Sequence, residues 1–73
     1  MVTVNIHNFE NREHIGINQF QKVPNRGEYI ILTHDGITNY SSIRDSSVAY
    51  KVVLVVLHGD IVNIFIDLSE RFV

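Results

Sequence analysis

Val48-Ala49-Tyr50-Lys51-Val52-Val53-Leu54-Val55-Val56-Leu57-His58, then Gly59-Asp60, then Ile61-Val62-Asn63-Ile64-Phe65-Ile66-Asp67-Leu68 reads as two strands joined by a two-residue turn. β-branched and aromatic side chains pack well on a pleated surface, and a glycine-led pair between two such runs is a hairpin signal. With Gly59 and Asp60 as the loop, Leu57 opposes Val62, Val55 opposes Ile64 and Val53 opposes Ile66. That face is apolar throughout and is expected to be core. The second face opposes Val56 to Asn63, Leu54 to Phe65 and Val52 to Asp67, with Tyr50 and His58 towards its ends. It is too apolar to be simply wet. Either the ribbon bends so that both sides are partly enclosed, as in a small barrel, or this face meets another chain.

Upstream, Glu28 to Thr33 reads as a buried strand introduced by the corner Val23-Pro24-Asn25-Arg26-Gly27. Proline presets φ at the second turn position, asparagine tolerates the third, and Gly27 can take the positive φ that follows. His34-Asp35-Gly36 is a second turn, with Ile37 to Tyr40 as a short returning strand. Ser41 to Ser47 is rich in hydroxyl and charged residues and is expected to be an exposed loop. At the N-terminus Val2, Val4 and Ile6 alternate with Thr3, Asn5 and His7, which predicts a half-buried strand able to pair with either sheet edge. Residues 8–19 carry Phe9, Ile15 and Ile17 among polar residues and fit a long loop or one short helical turn.

The whole describes one small all-β domain over residues 1–73. A chain of this length buries only about 60% of the surface its unfolded form exposes, so stability is scarce, and without cysteine there is no disulfide to add to it. The lack of cysteine agrees with a reducing cytoplasm, and no basic, apolar and small-residue series at the start suggests export. The longest apolar run, Val52 to Leu57, falls far short of the roughly 20 residues of a membrane-spanning helix. A net charge of -2 with interleaved signs supplies no cationic field for phosphates.

The combination of Val23-Pro24-Asn25-Arg26-Gly27-Glu28 with Tyr50-Lys51-Val52-Val53-Leu54-Val55-Val56-Leu57-His58 resembles a pattern in small uncharacterised bacterial and phage proteins. In these a proline-x-x-glycine-acid turn precedes a tyrosine-x-valine strand. The resemblance covers about half the chain and implies an SH3-like barrel; it brings no catalytic residue. The fold expected is therefore all-β, a small SH3-like barrel or a strongly bent antiparallel sheet ending in a β-hairpin.

Candidate chemistry is sparse. His7, His14, His34 and His58 include no pair at the close spacing that preorganises a metal site, so neither a metal nor another cofactor is expected. Ser41, Ser42, Ser46 and Ser47 lack a nucleophile elbow. Asp60 and Asp67 point to opposite faces of one strand. The four glycines are isolated turn residues, not a phosphate loop. No catalytic constellation emerges, and an enzyme is not expected.

What fits is a small cytosolic protein-binding module, such as a phage-encoded inhibitor or accessory factor. The contact residues expected are Tyr40, Ile43, Arg44 and Asp45 in the polar loop and Leu54 and Phe65 on the second hairpin face, where a homodimer contact is also expected. A single-strand nucleic-acid-binding barrel is the alternative, with Tyr29, Tyr40 and Tyr50 interleaved with Arg26, Arg44 and Lys51; a structural subunit of a larger assembly is the third.

Overall fold

A computed structural model describes residues 1–32 and 49–72. The turn expected at His34–Gly36, the strand Ile37–Tyr40 and the loop Ser41–Ser47 lie outside the described residues. The described residues form five strands: β1 (Val2–Asn8), β2 (His14–Phe20), β3 (Tyr29–Ile31), β4 (Ala49–His58) and β5 (Ile61–Phe72). They form one sheet in the order β2-β1-β5-β4-β3, curled into a half-barrel. No helix occurs among the described residues, so none is long and apolar enough to cross a membrane.

The C-terminal hairpin turns where expected. Gly59 sits at φ +61° as the first loop residue, the position at which a type II′ turn requires positive φ. His58 opposes Ile61, Leu57 opposes Val62, Val55 opposes Ile64 and Leu54 opposes Phe65. Beyond that point the expected register fails. Val52, not Val53, opposes Ile66, because Val53 is an extra residue in a β-bulge. A bulge changes which side chains face inward, so Val52 is fully buried and Val53 only partly. A second irregularity lies between Tyr50–Arg71 and Lys51–Asp67, where Asp67 Oδ1 accepts hydrogen bonds from the Ser69 amide and hydroxyl at 2.9 and 2.6 Å. The C-terminal residues continue β5, with Phe72 opposite Ala49.

The sheet is mixed, not wholly antiparallel. β1 lies along β5 in parallel, from Val4–Val62 to Asn8–Ile66, while the other three pairings are antiparallel. Parallel neighbours need a long connection, which the intervening chain supplies because β1 and β5 are its first and last strands. The N-terminal strand thus occupies an interior place in the sheet.

Residues 8–19 hold a single uncontinued helical-type turn, the Arg12 N–H to Asn8 C=O bond spanning four residues, and no long loop. They make a hairpin into β2, closed by Asn8 N–H to Glu13 C=O and Arg12 N–H to Asn8 C=O, both 2.8 Å. Arg12 takes a left-handed φ of 63°, and Asn8 Oδ1 and Asn11 Oδ1 accept from the Glu10 and Glu13 amides. Ile15 is the bulged residue, between the pairs Ile6–Gly16 and His7–His14. The resulting phase shift sends Ile15 inward and leaves His14 exposed. The corner before β3 turns two residues later than expected: Glu28 N–H bonds Asn25 C=O at 3.1 Å, with Gly27 at φ +91° in the third position, as a type II turn requires.

The concave face is the core. Val4, Ile6, Ile15, Leu32, Val52, Ile64 and Ile66 are fully buried, joined by Ile30, Tyr50 and Val62. Each such aliphatic side chain contributes about 1.5–3 kcal/mol by leaving water. The two buried asparagines are satisfied locally, Asn8 through the Glu10 amide and Asn18 through the Ile17 carbonyl at 2.7 Å. Among the described residues no buried side-chain polar atom lacks a partner.

Candidate functional site

The two ends of β4 have different neighbours. Ala49, Tyr50 and Lys51 pair with β3, and Val52 exchanges backbone bonds with Glu28 C=O and Gly27 N–H, each 2.8 Å. From Val53 to His58, nothing among the described residues pairs with the side of β4 that faces away from β5. Which backbone groups this leaves open follows from the turn. Residues flanking a two-residue loop exchange hydrogen bonds with each other, and successive antiparallel pairs alternate. His58 therefore points its N–H and C=O at Ile61, while Leu57 and Val55 point theirs outward.

The side chains beside this open edge are apolar. Leu57 is 66% exposed, Ile61 50% and Val56 40%. Leu57 faces the concave side, as its register requires, but it lies beyond the reach of the core, so the expectation that it is enclosed is corrected. Val55 and Val62 do pack on the core. The edge from Val53 to Leu57 thus carries no charge and no proline, the features that usually guard an exposed strand.

The convex face places Leu54 and Phe65 opposite one another, as expected, and both are half-buried. Phe65 is already covered within the chain. The His7 ring stacks on it at 4.8 Å between centroids, and the Arg12 guanidinium lies 5.4 Å from its centre and 5.1 Å from that of Phe9. His7 Nε2 lies 3.0 Å from Asn63 Oδ1, and His14 meets His7 edge-on at 5.2 Å. Tyr40, Ile43, Arg44 and Asp45 lie outside the described residues.

The expected aromatic and cationic surface is not assembled as read. Tyr50 is buried in the core at 3% exposure, because the Val53 bulge turns it inward with Val52, whereas Tyr29 stands outside at 49%. Lys51 is opposite Asp67 in the ladder, which sets a negative group beside that cation. An open cleft of about 450 Å³ lies between the end of β2 and β3, lined by Phe20, Lys22, Pro24, Glu28, Tyr29 and Ile30. Among the described residues no group of three or more histidine, cysteine or acidic side chains converges.

Two features escaped the sequence. The apolar run of β4 gives no sign of where β3 stops covering it, and the nearness of His7 and His14 depends on a hairpin that the polar residues 8–13 disguise. No family model, curated protein or solved structure matches the chain.

Proposed function

We propose that this chain is a protein-binding module that receives an extended apolar segment of a partner as an added strand along Val53–His58 of β4, acting by contact as an inhibitor or accessory factor does. The observation that carries the reading is the edge from Val53 to Leu57, without charge and with no pairing strand among the described residues, flanked by exposed Val56, Leu57 and Ile61. Strand addition draws affinity from outward N–H and C=O groups and selectivity from alternate side chains, and Leu57 and Val55 offer the former while Val56 and Leu57 frame the latter. The balanced charge favours a protein over a nucleic acid.

Peptides selected from a random library for binding to the protein should be extended, alternate apolar residues and protect the Val55 and Leu57 amides from hydrogen exchange. Leu57→Pro removes an outward N–H without touching the β5 ladder and should abolish this binding while the chain stays folded. Unchanged binding to Leu57→Pro would rule out this edge.

A second copy of the chain is the partner in a second reading, because Leu54-Val55-Val56-Leu57 is apolar along its whole length and so is complementary to its own antiparallel image. That contact would be a two-fold homodimer, seen as concentration-dependent sedimentation that Leu57→Pro removes.

A further inference from the structure

We propose that His7 and His14 form a two-imidazole site for a first-row transition-metal ion, with Zn²⁺, Ni²⁺ and Cu²⁺ as the class of ligand. The two residues are seven apart in sequence, but the Ile15 bulge makes them direct cross-strand neighbours in the β1–β2 hairpin. Their ring centroids are 5.2 Å apart and their planes cross at 62°.

That separation suits a shared ion. A tetrahedral zinc lies about 2.0–2.1 Å from each ligating nitrogen, a nitrogen lies roughly 1.1 Å from its ring centre, and two such rings at the tetrahedral angle have centres about 5 Å apart. Imidazole is a ligand that zinc, nickel and copper all accept.

His7 is also prepared as a ligand. Asn63 Oδ1 can only accept, so its 3.0 Å contact with Nε2 favours the tautomer protonated there, which in the neutral ring leaves the lone pair on Nδ1. A hydrogen bond from the second ring nitrogen is the usual device that orients a metal-bound histidine. The Phe65 ring stacked 4.8 Å away adds a second restraint on the His7 plane. His14 is exposed and supplies the adjustable member of the pair. The remaining coordination positions fall to water or to a side chain from a bound partner. Arg12, held over Phe65, is the nearby cation that opposes metal binding.

The test is a titration of the untagged full chain with Ni²⁺ and with Zn²⁺, followed by histidine ring resonances and by calorimetry. Saturable one-to-one binding that broadens His7 and His14 ahead of His58 is expected. His14→Ala, an exposed substitution, should remove it. Asn63→Ala should weaken it by roughly 10–100-fold, and Arg12→Gln should strengthen it. Absence of saturation at millimolar metal in the wild type, wild-type affinity in His14→Ala, or first broadening at another histidine would each overturn the site. Circular dichroism of every variant distinguishes loss of the ligand from loss of the fold.

Discussion

The two halves of β4 continue one strand but have opposite surroundings. Ala49 to Val52 is sealed by β3 on one side and β5 on the other, with Tyr50 and Val52 buried. Val53 to His58 has β5 alone among the described residues, and Val56 and Leu57 reach solvent. A run of valine and leucine therefore announces a strand, but its exposure is set by the neighbour beside it. The bulge at Val53 marks the change, and it is itself one of the means by which edge strands are bent away from indiscriminate pairing.

The largest effect should come from the sealed side of the ribbon. Ile64→Ala empties a fully buried site and should cost about 2–5 kcal/mol, read as a fall in the urea midpoint. Leu57→Ala, equally aliphatic and on the same face of the hairpin, should cost well under that; equal losses at the two positions would erase the distinction between the halves.

The turn that joins β4 to β5 tests the pairing on which both halves depend. Gly59→Ala meets no atom within 4 Å, so its effect is conformational alone. A left-handed residue with a Cβ is disfavoured by about 1–2 kcal/mol, and the thermal midpoint should drop accordingly. No change in the midpoint would mean that the loop does not hold Gly59 at positive φ.

Deleting Val53 restores simple alternation, since Val52 opposite Ile66 and Leu54 opposite Phe65 keep their faces. The deletion should be tolerated better than Ile64→Ala, yet flatten the open edge and raise self-association, measured by light scattering. Smallest of all, Val56→Lys should change folding stability by no more than about 0.5 kcal/mol while weakening any association that uses the β4 edge. A variant that is as sticky as the wild type would move the contact elsewhere.

Much of this architecture was written locally. The Gly59-Asp60 turn and the alternation of β1 are consequences of backbone preference and period and appear where those rules put them, and Gly27 takes the expected positive φ although its turn lies two residues later than read. What could not be read is where extra residues enter. A bulge at Val53 replaces one apolar residue with another at the core, Val52 for Val53, so both registers satisfy the pattern, while the bulge at Ile15 sits between His14 and Gly16 and leaves no apolar period to mark it. The candidate sites suffer most, because their residues come from different strands: Leu54 and Phe65 were legible as one cross-strand pair, but His7, His14, Asn63 and Arg12 meet only through the β1–β2 hairpin and the parallel β1–β5 pairing.

By itself, then, the order of residues determined strand character, the position of the last turn and the all-β class, since these depend on short-range sterics and on a period of two. Tertiary structure decided the parallel seating of β1 on β5, the length of β4 that β3 covers and the meeting of two histidines. Those are outcomes of competition between distant segments for the same hydrogen-bonding edges, and a single strand cannot show which competitor takes its place.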